Sequence, residues 1–331
     1  MKAIIPVAGA GTKLRPHTYT QPKALMPMAG KTVLGVIVDQ LIAAGIKEYI
    51  FIIGYLGDKI QDYIGKTYPD LTCSFVTQNH RRGTGHAIWL SREVVNNDEI
   101  LIVLGDTICD FDIATVLTSK ESQVGVRRVD DPRFFGVAEL DQHDNVINFV
   151  EKPQIPKSNM ALVGVYKIRE TEALFIALQE LMNNGAGPDG EYHLTDALQK
   201  MITSGIRFKA FRVNNWFDCG KKDTLLETNA TLLKKMSEEE GYTVPQFKDT
   251  VIIPPVNIAP GCIIEHAIIG PSVSIGENTQ IRSSIIRNSI IGSYAQLEEV
   301  VMKASIIGSD AYVHGLSQSL NIGDNTDIDL G

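Results

Sequence analysis

Apolar runs alternate with amphipathic stretches through the first hundred positions of the chain. Residues 3–8 are apolar throughout and predict a buried strand that stops at Gly9-Ala10-Gly11-Thr12. Val33, Val36, Ile37, Leu41 and Ala44 then recur at helical spacing and end at Gly45, a helix stop. Residues 49–53 predict a second strand, Ile60, Tyr63 and Ile64 share one face of a second helix, and residues 71–77 predict a third strand. Residues 100–104, Ile-Leu-Ile-Val-Leu, form the clearest buried strand of the chain. Strands apolar on both faces and separated by helices imply a parallel sheet covered by helices, with ligands at the carboxyl ends of the strands. From residue 124 to 168 the spacing changes to short strands in close succession, over 124–129, 136–140, 146–150 and 162–168. That pattern predicts a mixed or antiparallel extension of the sheet. Residues 208–213 predict its last strand.

A helix is predicted from Lys222 to about Lys235, and the polar, acidic residues 236–250 read as a linker. Beyond it the pattern is different in kind. Aliphatic residues recur every six positions, as in Ile252, Ile258 and Ile264, then Ile269, Ile275 and Ile281, with Ile291 and Leu297, Ile307 and Val313, and Ile322 and Ile328 continuing the series. Isoleucine-glycine pairs recur at residues 269, 275, 291, 307 and 322. A six-residue aliphatic period with small residues between is the hexapeptide signature of a parallel β-helix, whose stacked coils bury a continuous aliphatic column. The expected architecture is therefore an α/β, Rossmann-like three-layer domain with a mixed sheet over residues 1–235, the linker, and a short left-handed parallel β-helix over residues 251–331.

Composition narrows the function classes. Of the 331 residues, 44% are hydrophobic and 21% charged, as in an ordinary globular protein. The formal charge of -8 argues against a nucleic-acid or anionic-membrane partner, both of which want a basic face, so any anionic ligand must be met by local cations. Cys73, Cys109, Cys219 and Cys262 lack metal or disulfide spacing, and Cys219 has no neighbouring base to make it a nucleophile. Reduced thiols and the shortness of the first apolar run set the expectation of a cytoplasmic protein.

The candidate chemistry begins where the first strand ends. Backbone N–H groups at Gly9-Ala10-Gly11-Thr12 are able to crowd an anion, glycines let a phosphate approach the main chain, and the cations Lys13, Arg15 and Lys23 follow. Two familiar phosphate motifs do not fit. Leu14 stands where a dinucleotide fingerprint has its third glycine, and Leu25 where a P-loop ending in Gly30-Lys31-Thr32 needs its first. Gln78 at a strand end, with Gly83-Thr84-Gly85 opening a helix, suits either a base-edge reader or an ordinary capped helix. Asp106 ends the buried strand where magnesium on a substrate phosphate would be held, whereas Asp110 and Asp112 read as turn or cap residues. Asp218 suits a second metal carboxylate or a helix N-cap. Glu151 and Lys152 suit a binding pair or a surface salt bridge.

Gly9 to Thr18 and Pro22 to Pro27 resemble the signature of the sugar nucleotidyltransferases, G-x-G-T-R-L-x-P-x-T followed by P-K-x-L-x-P, with Lys13 in place of the arginine. The later segments Phe134-Phe135-Gly136-Val137, Glu151-Lys152-Pro153, Lys157-Ser158-Asn159, Gly164-Val165-Tyr166 and Trp216-Phe217-Asp218-Cys219-Gly220 follow the order of the thymidylyltransferase branch. The resemblance implies that Lys13, Arg15 and Lys23 are catalytic. It implies nucleotide contacts at Ala8, Gly9, Ala10, Gly11, Thr12, Lys13, Gln78, Gly83, Thr84 and Asp106, and sugar phosphate contacts at Gly136, Glu151, Lys152 and Gly164. It further implies Mg2+ held by Asp106 and Asp218. In Gly190-Glu191-Tyr192-His193-Leu194-Thr195-Asp196, the branch's leading arginine is replaced by Asp189, which reverses a charge near the implied phosphate.

The expected reaction is transfer of a nucleotidyl group from dTTP or UTP to glucose 1-phosphate, releasing pyrophosphate. Mannose 1-phosphate with GTP or ATP is the alternative substrate pair. A catalytically inactive subunit that senses nucleotide sugars is the competing class, and an acyltransferase activity in the β-helix, with His266 or His314 as base, is a third. The end coils of the β-helix favour a homo-oligomer.

Overall fold

In the computed structural model, β1 (Lys2–Pro6) shields Ala3, Ile4 and Ile5 completely from solvent, as its unbroken apolar run demands. The structure describes residues 1–187, 189–315 and 321–329, so residues 316–320 and 330–331 of the expected repeat domain lie outside the described residues. The chain divides into two compact units, the first comprising Met1–Gly9 and Ile37–Trp216, the second Ala10–Val36 and Phe217–Gly331.

The first unit is built on a sheet of nine strands. After β1 come β2 (Glu48–Ile53), β3 (Thr72–Thr77), β4 (Ile100–Val103), β5 (Ser122–Arg128), β6 (Gly136–Leu140), β7 (Val146–Glu151), β8 (Met160–Ile168) and β9 (Phe208–Arg212). The order β7-β6-β8-β4-β1-β2-β3 runs through the sheet, with β5 pairing β8 and β9 pairing β5. β1, β2, β3 and β4 pair in parallel, as the alternation of strands with helices predicts. β8 runs antiparallel to β4, β5 and β6, so the segment of short strands is the antiparallel extension that its spacing implies. One buried cluster joins Ile4, Ile102 and Val126 of the sheet to Leu178 and Leu198 of the helices Thr171–Asn184 and Leu194–Thr203.

In the second unit the hexad period becomes three parallel sheets of four, five and five strands, the arrangement typical of a left-handed β-helix. Register stacks each aliphatic position on its equivalent one coil away: Ile252 on Ile269, Ile258 on Ile275, and Ile264 on Ile281. Two members of the first column, Ile286 and Met302, fall outside the six-residue count because the steps on both sides of them shorten to five, Ile281 to Ile286 to Ile291 and Leu297 to Met302 to Ile307. Both are fully buried all the same. The helix Lys222–Glu238 precedes the coils. Among the described residues no helix is long and apolar enough to cross a membrane, and no disulfide links the four cysteines.

Candidate functional site

Gln78 follows the carboxyl end of β3, and its backbone N–H donates to the Ile53 carbonyl at 2.8 Å. Its side-chain amide is buried, donating to the Gly83 carbonyl at 3.2 Å and lying 3.0 Å from His86 Nδ1. The His86 ring is held below its ordinary value by burial first, then by Arg82 and His80, so a neutral imidazole meets the amide. Gly83 and Thr84 open the helix Gly83–Leu90. Gly83 has φ +89°, and a Cβ there would stand 2.5 Å from the Tyr192 carbonyl, so only glycine fits.

That close approach is one of several ties to a single segment. Gly85 N–H donates to the Tyr192 carbonyl at 2.8 Å, Tyr192 N–H donates to the Arg82 carbonyl at 2.8 Å, and Leu194 N–H donates to Thr84 Oγ1 at 3.2 Å. The same segment holds Glu151, at the end of β7. Thr195 Oγ1 donates to Glu151 Oε2 at 2.7 Å, while His193 Nδ1 lies 3.7 Å and Lys152 Nζ 3.6 Å from Glu151 Oε1. A Cβ on Gly136 would come within 2.9 Å of Thr195 Oγ1 and 3.0 Å of Glu151 Oε2. Gly136, Glu151 and Lys152 therefore do come together. Glu151 is recessed with 19% of its side chain exposed, whereas Lys152 keeps 51% exposed. A recessed, oriented carboxylate beside an accessible ammonium can bind hydroxyls and a phosphate.

Asp189, where a cation was expected, is partnered internally. Its carboxylate takes His193 Nε2 at 2.8 Å and the Glu191 N–H at 3.1 Å, and these two hydrogen bonds, the backbone one first, hold it below the usual carboxylate range. Burial pushes the nearby Asp196 carboxyl upward. Gly164, with φ +85°, accepts from Leu104 N–H at 2.9 Å and so packs the middle of β8 against the chain two residues before Asp106. Ala8 accepts weakly from Tyr55 N–H at 3.4 Å, and Gly9 has open space around it.

Asp106 follows β4, half-buried, and its Oδ1 accepts from Thr107 Oγ1 at 3.3 Å. Asp112 accepts from Thr115 N–H and caps the helix Ile113–Thr118, which is the cap reading. Asp218 is not the N-cap of its helix; that position is Lys221, with no side-chain cap. Instead Asp218 lies 3.8 Å from Lys23 Nζ within the second unit. Asp106 and Asp218 offer hard carboxylate oxygens, the donors magnesium takes in ones or twos beside phosphate and water. The donor chemistry fits the ion. Among the described residues, the group of three possible metal ligands that the structure draws together is Asp189, Glu191 and His193, whose imidazole suits magnesium less well.

The loop that follows β1 belongs to the second unit from Ala10 onward. Gly11 has φ +59°, and a Cβ there would meet Lys23 Cβ and Thr18 Cγ2 at 2.9 Å each, so the loop folds back on itself only around glycine. Thr18 Oγ1 fixes that fold by donating to the Gly11 carbonyl at 2.8 Å. Ala10 is buried, whereas Thr12, Lys13 and Arg15 are exposed. The Arg15 guanidinium stands 4.8 Å from the Tyr19 ring centroid. Lys23 keeps 17% of its side chain exposed, and Gly220 leaves room where it meets Asp218. The β-helix histidines His266 and His314 are each 3.7 Å from an acid, Asp249 and Glu299 respectively.

Sequence reasoning missed the roles of His86, His193 and Thr195. Thr195 had a signal in the Thr-Asp pair of its motif; the two histidines had none, because their partners come from other segments.

Comparison with known proteins shows the family. The Nucleotidyl transferase family pattern matches residues 2–235. The chain is 30% identical over 319 residues to a glucose-1-phosphate thymidylyltransferase of Streptomyces griseus, covering 88% of this chain and 87% of the relative. It is 29% identical over 318 residues to the low-salt glycan biosynthesis nucleotidyltransferase Agl11 of Haloferax volcanii, again covering 88% and 87%. A solved Bacillus anthracis structure, provisionally named a glucose-1-phosphate thymidylyltransferase and complexed with a sucrose, matches with a TM-score of 0.62 at 26% identity, covering 74% of this chain and 98% of that one. The chain belongs to the Nucleotidyl transferase family, as an enzyme of the sugar 1-phosphate nucleotidyltransferase type.

Proposed function

We propose that the enzyme transfers a nucleotidyl group from dTTP or UTP to glucose 1-phosphate in a magnesium-dependent reaction. The observation that carries the sugar phosphate half is the recessed Glu151, held by Thr195 and flanked by the exposed ammonium of Lys152. The name of the Streptomyces relative supports glucose and thymidine, and the buried Gln78 amide beside Gly83 supports a base-edge contact.

A sugar phosphate oxygen attacks the α-phosphorus in line. A new P–O bond forms as the bond from the α-phosphorus to the bridging oxygen breaks, and pyrophosphate leaves with the electron pair. The nucleophile is already an anion, so no general base is required, and positioning with charge neutralisation carries the rate. In this reading Lys13 and Arg15 meet the triphosphate, Lys23 and Lys152 the attacking phosphate, and Glu151 the sugar hydroxyls. Asp106 and Asp218 are the carboxylates assigned to Mg2+. When bound, the ion neutralises charge on the phosphate oxygens.

The test is pyrophosphate release measured across a matrix of dTTP, UTP, GTP and ATP against glucose 1-phosphate and mannose 1-phosphate, with and without magnesium. Fastest release is expected with glucose 1-phosphate and a pyrimidine triphosphate. Release only from mannose 1-phosphate or a purine triphosphate, or no release from any of these pairs, overturns the substrate assignment.

A further inference from the structure

Three of the residues that grip phosphate in this reading, Lys13, Arg15 and Lys23, sit on a stretch whose other hydrogen bonds reach the β-helix. Both lie in the second unit. Near Arg15, His17 is 2% exposed, and its Nε2 lies 2.5 Å from Oδ1 of Asn321, the first residue of the last strand on its side, Asn321–Ile322. Asn321 Nδ2 reaches the Arg15 carbonyl at 3.4 Å, and Thr20 Oγ1 donates to Asp324. Asp324 is anchored in its turn, because its Oδ1 accepts from Ser309 N–H at 2.8 Å. At the far end of the loop, Ala29 N–H donates to Asn229 Oδ1 at 2.9 Å and to Ser274 Oγ at 3.1 Å, and the Ser274 hydroxyl donates to Asn229 Oδ1 at 2.6 Å.

These contacts grip the loop on both sides of Lys23. Hydrogen bonds fix direction as well as distance, which apolar packing does not. Burial holds the His17 ring below its ordinary histidine value, against the upward pull of Asn321 and Asp324 and with help from Lys222, so the ring is neutral and directs a single N–H at Asn321. Asn321 itself is exposed and stands beside, not in, the aliphatic column that Ile322 completes. Its side chain contributes little to the stacking of coils.

We propose that the β-helix is the positioning platform of the phosphate loop, with Asn321 and Asp324 of its last coil as positioning residues that act on Lys13 and Arg15 through His17 and Thr20. The proposal rests on the nucleotidyl transfer reading. It makes the repeat domain a working part of the transferase.

The experiment compares steady-state kinetics and thermal melts of the wild type, Asn321→Ala, His17→Gln, Thr20→Val, Asn321→Ala combined with His17→Gln, and the control Gln296→Ala, an exposed position on a middle coil. Misplacing a preorganised cation should lower kcat of Asn321→Ala about tenfold and raise its KM for the nucleoside triphosphate, leaving KM for the sugar phosphate and the melting temperature near wild type. Thr20→Val should show a smaller loss of the same kind, and Gln296→Ala none. The combined variant should lose no more than the larger of its single losses, since both changes remove one contact. Wild-type kinetics in Asn321→Ala and Thr20→Val overturn the proposal, as does a loss that falls equally on both KM values together with a lowered melting temperature. Absence of pyrophosphate release from the wild type overturns the transferase reading itself, and so is distinguishable from failure of the platform alone.

Discussion

The two units hold their residues in place by opposite means. In the first, each candidate group has its own device: a buried amide on a histidine for Gln78, a threonine hydroxyl for Glu151, a close-packed glycine for the turn at Gly83. In the second, one device is repeated, a column of aliphatic side chains in register from coil to coil, and burying each such side chain contributes roughly 1.5–3 kcal/mol. Its candidate chemistry lies off the repeat, on Ala10–Val36 and on Asp218. Repetition supplies rigidity, and irregular loops supply function.

The sharpest break between the two comes from paired substitutions. Asp106→Asn in the first unit should cut the rate of pyrophosphate release by about 10²- to 10³-fold with unchanged melting, as for other preorganised charged groups; turnover like the wild type would remove Asp106 from the site. Ile291→Ala, deep in the aliphatic column, should instead cost about 2–5 kcal/mol of unfolding free energy, read from denaturant melts, with kcat at low temperature nearly intact. If kcat collapses while stability holds, the division of labour is wrong.

Gly136→Ala probes the irregular packing more gently. The added methyl meets Thr195 and Glu151 and should raise KM for the sugar phosphate about tenfold, with KM for the triphosphate unchanged. An effect on the triphosphate alone would contradict the assignment of Glu151. The smallest effect expected is on pH dependence. His17 in the second unit and His86 in the first both have folded values lowered from 6.5, chiefly by burial. Above that value neither folded nor unfolded ring binds a proton. As pH falls below it, the unfolded chain takes up protons that the folded chain does not, so stability is full above about 6.5 and declines below it until the folded values are reached. Thermal melts at several pH values in that window should show the decline, and His17→Gln should flatten part of it; an unchanged slope would mean that burial of His17 carries no such cost.

The sheet and the β-helix were legible in the sequence because each has a period that a linear reading can detect. The fold of the Gly9–Thr12 loop has local requirements: Gly11 adopts φ +59° within reach of Thr18 and Lys23, and those residues stand close by in the chain. Ile286 and Met302 escaped because shortened steps break the six-residue count. The pairing of Asp189 with His193 depends on the shape of a loop, so the reversed charge at Asp189 could not be interpreted from residue type. The contact of His17 with Asn321 spans 304 positions, and only folding brings such partners together.

The segment Tyr192 to Thr195 has a consequence for how substrate preference could change. Its backbone anchors the turn assigned to the base, and its side chains orient the carboxylate assigned to the sugar. In the proposed reading, a substitution there that admits a different sugar also shifts the seat of the base. Exchanging sugar preference with a relative would therefore require moving the segment as a block, together with Gly83 and Gly136, and variants made one residue at a time should lose discrimination in both pockets before gaining it in either.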